Sequence, residues 1–102
     1  MAEMIKWLNY DFHVVSMNSN WNDVGGVYIF TGVQGSAWKA FYVGETNSFK
    51  NRLVPTHEQW AQAQRLGATH VHAMTVPQET ARKAIERMLI ETYKPPLNTQ
   101  HA

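Results

Sequence analysis

The chain has 102 residues, 44% of them hydrophobic and 17% charged, which fits one globular domain with a modest core and excludes a disordered chain. It contains no cysteine, so disulfides, thiolate metal sites and a cysteine nucleophile are excluded. A formal charge of +1 is too low for a protein that grips nucleic acid by bulk charge, so any such contact must come from local placement of a few residues.

The first residues, MAEMIKWLNYDFHVV, lack the basic start and apolar run of a secretory signal, and no stretch approaches the roughly 18 apolar residues of a membrane helix. A cytoplasmic, soluble domain is therefore expected over residues 1–102. Residues 1–24 form an N-terminal extension or an extra strand: Leu8, Tyr10, Phe12 and Val14 alternate with polar positions, as in one half-buried strand. Asn18 to Asp23 is turn chemistry.

The motif-bearing core spans 25–98. Gly25-Gly26 breaks the chain, Val27 to Phe30 begins a strand, Gly32 to Ser36 supplies a fairly long turn, and Ala40 to Val43 is the partner strand of an antiparallel hairpin. Gly44 ends that strand. Asn47 or Ser48 caps a short helix carrying Lys50, Asn51, Arg52 and Leu53, which Pro55 stops. A second helix is expected over His57 to Leu66 with Gly67 as its C-terminal cap, followed by a strand over Thr69 to Val76. Gln78 or Thr80 starts the last helix, whose apolar stripe of Ala81, Ala84, Ile85, Met88, Leu89 and Tyr93 ends before Pro95-Pro96. The order predicts an α+β fold, with a small mixed or antiparallel sheet of about three to four strands flanked by helices.

Several residues in this frame carry chemistry. Tyr42 in Tyr42-Val43-Gly44 follows Tyr28 in Gly26-Val27-Tyr28 by 14 residues, on the paired strand, and Arg52 comes ten residues later on the short helix. Glu86 opens the run Glu86-Arg87-Met88-Leu89-Ile90 on the last helix, and Tyr93-Lys94-Pro95 and Leu97-Asn98 follow. This ordered set, from Gly26 to Asn98, resembles the GIY-YIG nucleases, spelled here GVY and YVG, and its ending resembles that of the incision domain of bacterial excision-repair nucleases.

Phosphodiester hydrolysis needs an activated water, charge neutralisation on the phosphate and help for the leaving oxygen. Glu86 suits one Mg²⁺ or Mn²⁺, because such ions take one or two carboxylates and keep several waters. The Arg52 fork suits a phosphate. Tyr28 and Tyr42 carry hydroxyls able to orient or deprotonate water when a metal or Arg52 lowers their pKa. Each residue also has a plainer reading: the tyrosines as core packing, Arg52 as a solvated helix residue, and Glu86 as the partner of Arg82 in an exposed i,i+4 pair.

The resemblance implies a stand-alone endonuclease cutting DNA with one divalent metal. Tyr28, Tyr42, Arg52, His57 and Glu86 are then catalytic, with Glu86 the metal ligand. Family members place a His or Tyr four residues after the helix Arg; here His57 lies five after it, with Pro55 supplying the extra residue, the alternative being a helix-start residue. Asn98 ties the tail to the core beside the site, or bonds to its own backbone. Gly44, Lys50, Arg87 and Lys94 are the expected nucleic-acid contacts.

Two features depart from the family. Glu45 stands where some relatives carry a Lys, and no second DNA-binding module is present. Specificity then comes from a branched or nicked DNA or from a protein partner. The alternative is a catalytically inactive module on the same fold, binding nucleic acid or protein. His70 and His72 share a strand face, which permits a ligand pair but offers no third ligand.

Overall fold

The computed structural model describes residues 3–98. In chain order the elements are β1 (Met4–Trp7), β2 (Tyr10–Val15), β3 (Gly26–Gln34), β4 (Ala37–Thr46), α1 (Phe49–Arg52), α2 (Trp60–Leu66), β5 (His70–Thr75) and α3 (Glu79–Tyr93), closed by a 3₁₀ turn at Pro96–Asn98. The strands form one antiparallel sheet in the order β1-β2-β5-β3-β4. The α+β expectation holds, but the sheet has five strands, not three to four. The extra strand arises because the N-terminal alternation is not one strand. Trp7 pairs with Tyr10 across a two-residue turn in which Leu8 takes φ 56°. A tight hairpin needs positive φ there, and Gly or Asn usually signals it; Leu gives no such signal. The Tyr93 hydroxyl holds the turn by accepting from the Leu8 N–H at 2.8 Å.

The β3–β4 hairpin is also tighter than expected. Its strands run on through Gly32 and Val33, and the turn is only Gly35-Ser36, with Gly35 at φ 63°. The register slips between Phe30 and Thr31, leaving Phe41 as the extra residue of a β-bulge. The bulge turns Phe41 and Tyr42 toward the same face as Tyr28 and Phe30, while Ala40 and Val43 pack on the other face.

The two faces bury different cores. Val27, Ile29, Val43 and Phe12 pack against Ile85 and Leu89 of α3. Tyr28, Phe30, Phe41 and Val71 pack against Phe49, Leu53, Trp60 and Ala63 from α1 and α2. Ser48 caps α1 by accepting from the Asn51 N–H at 3.2 Å, and its own hydroxyl donates to Asp23 at 2.6 Å. Helix α2 starts at Trp60 rather than His57, because the His57 ring accepts from the Gln59 N–H at 3.0 Å and holds that segment as a turn. Lys94 ends α3 in the left-handed region at φ 46°. Among the described residues no helix is long and apolar enough to cross a membrane.

Candidate active site

Tyr28 lies on β3 and is almost fully buried, with its hydroxyl meeting His57 on the α1/α2 face. Gly44, its cross-strand partner on β4, makes this possible: a Cβ there would sit 2.5 Å from both Cζ and Oη of Tyr28. Gly44 is buried under that ring, where the lack of a side chain makes room for Tyr28. The bulge brings Tyr42 alongside, with its ring centroid 6.3 Å from that of Tyr28.

His57 stands edge-on to Tyr28, Phe30 and Tyr42, at centroid distances of 5.7, 5.0 and 5.7 Å, and is 3% exposed. Its Nδ1 accepts the Gln59 N–H, and its Nε2 lies 2.8 Å from the Tyr28 hydroxyl. An Nδ1 that accepts carries no proton, so the neutral ring holds its proton on Nε2 and donates it to the Tyr28 oxygen. Burial and the nearby Arg52 charge push the His57 pKa down to about 4, so the ring stays neutral at ordinary pH. With both nitrogens committed, His57 is a fixed donor and has no lone pair left for a metal.

Arg52 ends α1 and faces the same cleft. Burial raises the Tyr28 hydroxyl well above its usual range, Tyr42 adds to the rise, and Arg52 opposes it. Tyr42 is also raised by burial; Arg52 again opposes, while Glu86 and Glu58 add to the rise. Glu86, on α3, is therefore close enough to Tyr42 for its charge to be felt there. Its own carboxyl is half-buried and raised, chiefly by burial and then by Glu45, with Lys83 opposing. The structure thus groups Tyr28, Tyr42, His57 and Arg52 on the α1/α2 face, and Glu86, on α3, is near enough for its charge to act on Tyr42. The Glu86 carboxylate and the tyrosine hydroxyls are oxygen donors of the kind a hard divalent cation takes, and a single carboxylate fits an ion that keeps several waters. Among the described residues no group of three or more His, Asp or Glu gathers to hold a metal.

The pairing expected for Glu86 is different in the structure. Arg82 is buried and donates from Nε to Glu45 at 2.9 Å, with Nη1 reaching the Pro77 carbonyl at 2.8 Å. The i,i+4 rule assumes an exposed helix surface, and here burial turned Arg82 inward to β4. The anomalous Glu45 is therefore neutralised by an internal cation, and Glu86 is left without a basic partner of that kind.

Around this cluster, Asn98 bonds to both backbone groups of Val43: Oδ1 accepts at 2.8 Å and Nδ2 donates at 2.9 Å. Arg87 lines a shallow groove of about 380 Å³ together with Glu86, Lys83 and Ile90. Lys50 is exposed on α1 beside the Asn22 loop, where its N–H meets the Asn22 carbonyl at 3.1 Å. Lys94 is exposed at the far end of α3, about 12 Å along the helix axis from Glu86 at the usual rise per residue. Two charged groups were missed by sequence reasoning. Lys83 lies one turn before Glu86 and pairs with Glu79 at 2.9 Å. Glu58 forks onto Arg52, with Nη1–Oε1 at 3.0 Å and Nη2–Oε2 at 2.5 Å. The His70/His72 pair is not a ligand set, since His72 is sealed in the α3-side core and its Nδ1 accepts from the Trp7 indole at 2.8 Å.

No sequence-family model matches the chain, and no curated protein does. Solved structures do. The magnesium-bound GIY-YIG N-terminal endonuclease domain of UvrC from Thermotoga maritima superposes with a TM-score of 0.64 at 25% identity, covering 78% of this chain and 88% of that one. A tyrosine-to-phenylalanine variant of the same domain, bound to its catalytic divalent cation, gives 0.63 at 26% identity with the same coverage. An asparagine-to-alanine variant gives 0.61 at 25%, over 74% and 83%. The chain has a GIY-YIG nuclease fold. The resemblance carried by GVY, YVG and the α3 ending is borne out at that level. In this GIY-YIG fold the two motif strands are β3 and β4, adjacent at one end of the sheet.

Proposed function

We propose that this chain is a stand-alone endonuclease that hydrolyses DNA phosphodiester bonds with one divalent cation. The observation that supports it most is the grouping of Tyr28, Tyr42, His57 and Arg52 from β3, β4, the turn before α2 and α1, with Glu86 of α3 close enough to act on Tyr42. The likeness to a UvrC endonuclease domain bound to magnesium supports the same reading.

Glu86 is the residue that holds the cation. Bound Mg²⁺ or Mn²⁺ supplies Lewis-acid polarisation of the scissile phosphate and offsets charge on the leaving oxygen. Once its own proton has passed to solvent, the Tyr28 phenolate takes the proton of the attacking water as the new P–O bond forms, and the leaving oxygen takes a proton from solvent as its bond to phosphorus breaks. His57 steadies the phenolate oxygen through its fixed Nε2–H, so it positions the base and transfers no proton itself. Tyr42 orients the water, and Arg52 stabilises the charge that builds on the phosphate. The raised pKa of Tyr28 makes it a poor base in the free protein, so its competence depends on cationic charge arriving or being freed beside it. Arg87 and Lys83 hold the flanking backbone in the groove next to Glu86.

One observation favours a second reading, a binding module without chemistry: the Arg52 fork is already filled by Glu58. Incubation with nicked, flapped and branched DNA in Mg²⁺, Mn²⁺ and EDTA separates the two. The wild type is expected to cut in a metal-dependent way. Glu86→Gln loses cutting, and Arg52→Ala loses about 10²–10³ in rate, both with near-normal melting temperatures. No cutting of any substrate by the wild type, with binding intact in both variants, leaves only the binding module.

A further inference from the structure

Arg52 is already engaged. Both of its terminal nitrogens go to the Glu58 carboxylate, in the parallel two-bond arrangement a guanidinium makes equally with a carboxylate or a phosphate. Glu58 lies one residue after His57, and its charge is felt at Tyr28, Tyr42 and His57, so it stands near the cluster and not on a remote surface. Arg52 holds it strongly ionised, down to about 2. The pair is solvent-exposed, 37% at Arg52 and 63% at Glu58. An exposed pair of this kind shifts an equilibrium by no more than about fivefold, so it holds the guanidinium in place without locking it. Beside it opens a cavity of about 330 Å³ lined by Glu58, Gln59, Gln62, Pro96 and Leu97, which gives a released carboxylate room next to polar amides.

We infer that Glu58 occupies, in the free protein, the seat of the substrate phosphate on Arg52, and that nucleic acid binds by taking the fork from it. This rests on the proposed function, which makes Arg52 the phosphate ligand. Glu58 is then a positioning residue: it keeps the Arg52 fork ordered and facing the cleft, and it imposes a competition that any anion must win. Displacement has a salt signature. Each phosphate neutralised by the protein releases a counterion, but a freed Glu58 takes one up again. The wild type should therefore show a shallower dependence of log K on log salt than a variant lacking that charge, by up to about one.

The test is a double-mutant cycle read by binding. A fluorescently labelled branched DNA is titrated by anisotropy in Ca²⁺, across a salt series, with wild type, Glu58→Gln, Arg52→Ala and the double variant. Glu58→Gln is expected to bind about two- to fivefold more tightly than wild type, with a steeper salt slope, and the gain is expected to vanish in the Arg52→Ala background. Unchanged or weaker binding by Glu58→Gln overturns the inference. So does an equal gain without Arg52, since that is a general charge effect. If no variant binds DNA, inorganic phosphate decides: the Arg52 Nε–Hε signal must move at lower phosphate concentration in Glu58→Gln than in wild type, and equal or absent movement overturns it. The two readings fail separately. A wild type that never cuts while the cycle holds sinks only the nuclease. Intact cutting with a silent cycle sinks only the role of Glu58.

Discussion

Two buried histidines sit on opposite faces of the sheet and differ in one respect. His72, on β5, is wholly buried on the α3 side, accepts from the Trp7 indole through Nδ1, and packs at 4.5 Å against the Trp38 ring. Its Nε2 has no hydrogen-bond partner among the described residues. His57, on the other side, also accepts through Nδ1, but its Nε2–H ends on the Tyr28 hydroxyl. Burial depresses both, each to about 4. A buried histidine with a shifted pKa is therefore no mark of a site in this molecule. What separates the two is where the hydrogen-bond chain leads: into sealed aromatic packing, or to a hydroxyl that also feels Arg52 and Tyr42.

Three experiments break or sharpen that contrast. The largest effect is expected from Tyr28→Phe, which removes the proposed base and leaves the His57 N–H without its acceptor. Cleavage should fall by about 10²–10⁴ in single-turnover assays, while the melting temperature drops modestly. A Tyr28→Phe protein that cuts normally would place His57 in the same bland class as His72.

The next experiment uses acid. Both rings are neutral in the folded protein down to pH of about 4, whereas an unfolded histidine protonates near 6.5. The unfolded state thus binds more protons between those values. Stability is complete above 6.5, falls as pH drops toward 4, and falls no further through these groups below that. The loss is on the order of 2 kcal/mol per histidine. Urea titrations of wild type at pH 7 and pH 4.5 measure it, and His57→Gln and His72→Gln should each remove about half of the difference. If one of them leaves it intact, that ring is not the neutral, buried group described.

The smallest effect is expected from Trp7→Phe. It strips the donor from His72 Nδ1 and leaves a buried acceptor unsatisfied, a cost of about 1–3 kcal/mol. Cleavage per folded molecule should not change. A loss of rate comparable with that of Tyr28→Phe would erase the distinction between the two faces.

The sequence carried the contrast only partly. The strands bearing Tyr28 and Tyr42, the α3 stripe and the order of Arg52 and Glu86 were all legible, because strand alternation, helical spacing and motif order are local or linear signals. The β1–β2 hairpin was not, since Leu8 adopts a backbone conformation its side chain disfavours and tertiary contact with Tyr93 overrides that preference. The bulge at Phe41 was equally silent, and without it Tyr42 would point to the α3 face. The inward turn of Arg82 could not be found from helical spacing, which paired it with Glu86. Glu58 was missed because an exposed acid before a helix looks like ordinary surface; only its proximity to Arg52 gives it meaning. A histidine beside a turn and a histidine within a strand carry no sequence mark that says which one bonds to Tyr28.

The Asn98 carboxamide has a consequence for self-association. Strand β4 lies at the end of the sheet, and such a margin offers a ladder of open peptide groups onto which a foreign strand can zip, the usual first step of intermolecular β-aggregation. At Val43 both peptide groups are already taken by Asn98. An incoming strand would have to evict the amide at that rung or leave a gap in its own ladder. Asn98 thus caps one rung of the margin that carries Tyr42 and interrupts the ladder that a second strand would need there.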